Sequence, residues 1–145
     1  MLTDGTIAID GDEVAADADL GITVYGVGGP LVSTTSVSGI DNDLWSGPRA
    51  SYRRVRCRGG SLEVTLGSDP LTFREEQTVV ARDPAGRRLS SVTFEPHDNV
   101  TLRVPLEPKN DVCTVDFEIS PTAVPGGGDL RELGVRFLKF DYQRP

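Results

Sequence analysis

The chain has one histidine, two cysteines, one methionine and one tryptophan in 145 residues. A zinc ribbon or finger needs four Cys or His ligands close together, so that chemistry is excluded. No segment reaches the ~18 consecutive apolar residues of a membrane span. The opening Met1-Leu2-Thr3-Asp4-Gly5 also lacks the basic and then apolar run of a secretion signal. The first 48 residues contain no Lys or Arg. They hold eight acids, whereas residues 49–145 hold fourteen acids and all fifteen bases, so the net charge of −7 resides in the first third. A general nucleic-acid surface needs excess positive charge, and this balance argues against one.

What is present describes one folded domain spanning 1–145. An apolar share of 37% with 26% charged residues suits a buried core. Sixteen Gly and ten Pro leave little room for long helices. The acidic lead-in, residues 1–38, reads as a solvated segment or a cation site. Asp10, Asp12 and Asp17 could give oxygen ligands to Ca²⁺, although the spacing of an EF-hand loop is absent. No other cofactor is expected.

Short runs rich in Val, Ile, Thr, Phe and Tyr recur along the chain. They are Thr6–Asp10, Ile22–Val27, Ala50–Cys57, Ser61–Leu66, Gln77–Arg82, Arg88–Phe94, Asn99–Pro105, Val112–Ser120 and Gly134–Tyr142. Alternation assigns faces: Cys113, Val115, Phe117 and Ile119 share one side of their run, and Val100, Leu102 and Val104 turn inward in theirs. A slip between Phe137 and Leu138 predicts a bulge. Gly- and Pro-rich turns separate the runs at the spacing of an antiparallel sandwich. One helical turn is expected over Asp129–Leu133. The fold class is all-β, an antiparallel β-sandwich of jelly-roll type.

Cys57 and Cys113 fall on apolar faces, either as two buried thiols or as one disulfide. His97 has no G-x-S-x-G elbow to serve and reads as a turn residue. The Gly126–Gly128 run lacks the Lys and helix of a phosphate loop and reads as a turn with positive φ. Arg49, Arg53, Arg54, Arg56 and Arg58 lie on one run. Arg54, Arg56 and Arg58 are placed with Tyr52, where forked donors beside an aromatic could take phosphate or an acidic glycan. Arg53 is placed on the side of Val55 and Cys57, paired with a carboxylate. Trp45 lies in a polar loop, where an indole either plugs the end of the sandwich or stacks on a sugar ring.

Residues 39–143 carry a further pattern. Leu44-Trp45-Ser46-Gly47-Pro48-Arg49 is followed by Tyr52-Arg53-Arg54, Cys57-Arg58-Gly59-Gly60-Ser61-Leu62 and Val64-Thr65-Leu66-Gly67-Ser68-Asp69-Pro70. Asp129-x-Arg131-x-Leu133-Gly134 then enters the last run. This region resembles the C-terminal β-sandwich accessory domain of multi-pass bacterial membrane glycosyltransferases of the actinobacterial type. The resemblance implies a fold like that of carbohydrate-binding modules and a Cys57–Cys113 disulfide. It also implies an extracytoplasmic position tethered through a parent membrane protein, a glycan or polysaccharide acceptor as partner, and no catalytic centre in this chain. Trp45, Asp43, Arg49 and Tyr52 would form the contact surface, with Asp129 and Arg131 as further sugar contacts or as a loop lock. The alternatives are a structural or protein-interaction sandwich without sugar binding, and a small glycan-active enzyme with two facing acids.

Overall fold

The computed structural model describes residues 7–8, 11–17, 22–27 and 32–145, with side chains described from residue 34 onward. Its strands, in chain order, are β1 (Ile7–Ala8), β2 (Gly11–Asp17), β3 (Ile22–Val27), β4 (Val32–Ser33), β5 (Thr35–Ile40) and β6 (Ser46–Val55). They continue with β7 (Ser61–Gly67), β8 (Gln77–Arg82), β9 (Arg88–Phe94), β10 (Val100–Pro105), β11 (Val112–Ser120) and β12 (Arg136–Gln143). No helix occurs among the described residues. The expected turn at Asp129–Leu133 is instead an extended loop, bridged by Ala123 opposite Leu133 and Gly126 opposite Asp129. With Gly126, Gly127 and Gly128 all at positive φ, the chain reverses too tightly for a helical turn to start.

Two antiparallel sheets face each other. One has the order β5-β6-β11-β8-β9 and the other β10-β7-β12, while β1 pairs with β4 and β2 with β3. Within the sheets, β6-β11-β8-β9 and β12-β7-β10 give the jelly-roll order, with β5 added at the edge beside β6. The bounds of β3, β8, β9 and β11 are those expected from composition. β5 (TSVSGI) is small and polar, and its pairing with β6 makes it a strand where local propensity alone does not.

The core lies between the sheets. Val115, Phe117 and Ile119 of β11 and Leu62, Val64 and Leu66 of β7 are buried, as alternation requires. Four aromatic rings bridge the two sheets. Tyr52 of β6 stacks on Phe140 of β12 at 5.5 Å, Phe140 stacks on Phe137 at 5.5 Å, and Phe137 meets Phe117 edge-on at 5.3 Å. Each such pair contributes about 0.5–1.5 kcal/mol beyond the area it buries. The expected bulge is present: the β12–β7 register shifts between Phe137 and Lys139, which keeps both Phe137 and Phe140 on the core side.

Cys57 and Cys113 form a disulfide with a Cα separation of 5.7 Å. The pairing β6–β11 sets Val55 opposite Val112, and the Cys57 amide donates to the Asp111 carbonyl at 2.9 Å. A parity change explains the faces around it. Ala50 and Tyr52 point inward on even positions, yet Cys57, on an odd one, is also buried. Arg56 between them has φ 54°, which turns the chain and restores an inward side chain. Two sequence-based placements change as a result. Tyr52 lies in the core at 0% exposure, and Arg53 faces outward rather than sharing the apolar side with Cys57.

Candidate functional site

Strand directions gather four connections at one end of the sandwich: residues 41–45, 68–76, 95–99 and 121–135. The first is a closed turn. Leu44 donates to the Asp41 carbonyl at 2.9 Å and Asp41 to the Trp45 carbonyl at 2.8 Å, with Leu44 at φ 74°. This turn is then fastened to the entry of β12. Ser46 donates to the Val135 carbonyl at 2.8 Å, Gly134 to the Ser46 carbonyl at 2.7 Å and Phe137 to the Leu44 carbonyl at 3.0 Å. Gly134 is required there, since a Cβ would stand 2.5 Å from the Gly47 carbonyl oxygen and 2.7 Å from Ser46 Oγ.

Trp45 is half-buried at this junction. Its ring lies 6.3 Å from Phe73, and the Arg136 guanidinium sits 5.5 Å from its centroid. Arg136 is itself fixed by donating Nη2 to the Ser68 carbonyl at 2.8 Å. The indole is therefore held by neighbours on two other segments while part of it stays at the surface. Leu71 and Leu130, on loops at the same end, are 92% and 86% exposed.

Beside Trp45, one guanidinium collects three carboxylates. Arg131 donates Nη1 to Asp41 at 2.8 Å and to Asp43 at 3.1 Å, Nη2 to Asp43 and Asp129 at 2.8 Å each, and Nε to Asp129 at 3.0 Å. Asp129 also accepts the Arg131 amide at 3.0 Å, a turn that pre-sets the pair before it meets the other loop. Hydrogen bonding to Arg131 holds the Asp129 carboxyl down at about 2, and it lowers Asp43 as well. The same carboxylates, Asp129 first, push the Arg131 guanidinium up. All four groups are at least a third exposed or nearly so, so the cluster is a solvent-facing clasp rather than a buried network. One positive and three negative charges leave it negative overall.

Asp43, Trp45, Asp129 and Arg131 are thus brought together at one end. Arg49 is not among them. It is exposed along β6, opposite Glu118 of β11, four residues from Trp45. Tyr52 does not reach any surface, because its ring belongs to the inter-sheet stack. Asp10 lies outside the described residues, and Asp12 and Asp17 lie in β2, outside those whose side chains are described. Among the described residues no group of three or more His, Cys, Asp or Glu is arranged to hold a metal ion. His97 is exposed in its turn beside Asp98.

Residues that sequence reasoning did not select complete the site. Asp41 is the third carboxylate, and only its two-residue spacing from Asp43 hinted at it. Phe73 is the one aromatic in an otherwise polar connection. Gln77, fully buried at the start of β8, ties the loops together. Its Nε2 donates to the Pro121 carbonyl at 3.0 Å and the Gly134 carbonyl at 2.8 Å, and its Oε1 accepts from Ser68.

No protein-family model matches the chain, and no curated protein does. Solved structures similar to it include these two. One is a family 6 carbohydrate-binding module, at 12% identity over 79% of this chain and 85% of that one, with a TM-score of 0.39. The other is CsCBM6-3 from Clostridium stercorarium in complex with cellobiose, at 9% identity over 77% and 83%, with a TM-score of 0.35.

Proposed function

We propose that this domain is a non-catalytic carbohydrate-binding module whose contact surface is the Trp45 end. One observation carries the reading: a partly exposed indole, fixed by Phe73 and Arg136, stands beside a solvent-facing clasp of carboxylates on Arg131. The C–H face of a sugar ring packs on an indole, and the ionised carboxylates accept hydrogen bonds from its hydroxyls. The ionisation of the clasp supports binding over hydrolysis. A glycosidase needs one acid with a raised pKa, whereas Arg131 lowers both Asp43 and Asp129.

The finer reading is an accessory domain of a cell-envelope glycosyltransferase, with a glycan or polysaccharide acceptor as ligand and the parent membrane protein as tether. Its support is the sequence resemblance over 39–143. The Cys57–Cys113 disulfide supports an oxidising, extracytoplasmic location. Arg49 remains a candidate flank of the same surface.

Titration calorimetry against soluble fragments of envelope polysaccharides tests the reading, with wild type, Trp45→Ala and Arg131→Gln. Binding by wild type that falls at least tenfold in Trp45→Ala is expected. Binding unchanged by Trp45→Ala removes this end from the site. No binding to any glycan leaves the structural-spacer reading in its place.

A further inference from the structure

The end of the sandwich opposite Trp45 has a feature that sugar binding does not use. A hollow of about 300 Å³ opens there, bordered by Arg54, Arg56, Arg58, Tyr142, Arg144 and Pro145. Four guanidinium groups around one hollow need a cause, and the local structure supplies it. Arg56 and Arg58 flank Cys57, which the disulfide to Cys113 fixes. Gly60, at φ 96°, has no side chain, and a Cβ there would stand 2.1 Å from the Gln143 carbonyl oxygen. The connection after β6 therefore lies directly against the backbone of 143–145, which sets Arg58 beside Arg144.

The wall of the hollow is ordered by its own contacts. The Arg54 guanidinium lies 4.0 Å over the Tyr142 ring and donates to Thr35 Oγ1 at 3.0 Å. The Tyr142 hydroxyl donates to the Gly59 carbonyl at 2.8 Å. One carboxylate, Asp111, pairs with Arg58 at 3.1 Å, and both side chains are well exposed. Among the described residues Arg56 and Arg144 form no ion pair. Arg56, Arg58 and Arg144 carry like charge around the hollow, and an anion between them relieves their mutual repulsion. Guanidinium forks pair with the oxygens of phosphate and sulfate in two-bond contacts that an ammonium group cannot make. The volume sits at the lower end of the ~300–1,000 Å³ of small-ligand sites, room for one oxyanion with a small substituent.

We propose that this hollow binds a phosphate or sulfate group, either as the free ion or as an ester on a small molecule such as a sugar. The site is independent of the Trp45 surface and stands or falls separately from it.

Calorimetry on the whole chain at low ionic strength tests it, with inorganic phosphate, inorganic sulfate, glucose 6-phosphate and, as neutral control, glucose. One-to-one saturable binding of at least one anion is expected, weakening as salt is raised to about 0.15 M. Arg58→Gln and Arg144→Gln, both at exposed positions that spare the core, should each weaken it about tenfold. Arg144→Lys keeps the charge but loses the fork, and should fall between wild type and Arg144→Gln. Lys139→Gln, an exposed charge outside both surfaces, should leave it unchanged. Glucose 6-phosphate binding more tightly than phosphate identifies an ester as the ligand, and equal affinities identify the free ion; either result upholds the site. No saturable binding of any of the three anions, or affinity unaffected by both Arg→Gln variants, overturns it.

Discussion

Gln77 is a buried amide that joins two of the connections at the Trp45 end, and its removal should cost more than any change on the surface around it. Gln77→Leu removes both polar ends and leaves a side chain one atom shorter. The carbonyls of Pro121 and Gly134 then lose a buried donor each, at roughly 1–3 kcal/mol apiece. The Ser68 hydroxyl loses its acceptor but can rotate to another. Leucine returns about 1 kcal/mol through added apolar burial. The net expectation is a loss of about 1–5 kcal/mol, or a melting temperature lower by roughly 3–15 °C in a domain of this size.

Urea unfolding followed by far-UV circular dichroism gives the stability, and Trp45 fluorescence reports the site because it is the only tryptophan. Gly134 lies two residues from Arg136, which pairs with Trp45, so loosening the Gly134 carbonyl should also shift the emission of the folded state. Thr78→Val is the control. It sits next in β8 on the outward face, where its hydroxyl meets only Thr93, and should change stability by less than about 1 kcal/mol. A loss below about 0.5 kcal/mol for Gln77→Leu, or one equal to that of Thr78→Val, would refute the reasoning that the amide holds the loops.

Two further outcomes follow from the same structure. Reducing the disulfide, or replacing both cysteines by alanine, frees a loop of 56 residues' separation and should cost about 4 kcal/mol in the loop-entropy model; equal urea midpoints with and without reductant would contradict it. The clasp gives a pH dependence: the Asp129 carboxyl is depressed from 3.8 to about 2, so its contribution is complete above pH ~4 and is lost as pH falls through about 2. The melting-temperature gap between wild type and Asp129→Asn should therefore close between pH 4 and 2, and an Asp129 resonance titrating near 3.8 would show that Arg131 does not hold it.

Much of this was legible in the chain because the sheet period is short and local. Cys113, Val115, Phe117 and Ile119 alternate without interruption, and all four are buried. The failure came where a single backbone angle breaks the period. Arg56 at φ 54° inverts parity between Tyr52 and Cys57, so counting back from the buried cysteine puts Tyr52 on the wrong face. Nothing in the residue type announces this, because arginine rarely adopts that conformation. The clasp was half legible. Asp129 and Arg131 are neighbours in sequence, and a pair there follows from local geometry. Asp41 and Asp43 join them across some ninety positions, which only the jelly-roll connections bring within 3 Å.

The distribution of charge makes the same point at larger scale. By sequence, residues 49–145 look almost neutral, with fifteen bases against fourteen acids. In space that neutrality is a cancellation between two ends. The connections at the Trp45 end hold nine carboxylates, Asp41 and Asp43 included, against Arg74 and Arg131. Among the described residues at the opposite end, Arg56, Arg58, Arg87, Lys109 and Arg144 face three acids. The six- and seven-residue strands between them set these ends about 20 Å apart, two Debye lengths or more at physiological salt. Among the described residues each end therefore carries its own sign. On the proposed readings, an anionic ligand would be repelled from the Trp45 clasp and drawn to the arginine hollow, and a neutral sugar would be selected by contact with the indole rather than by either field.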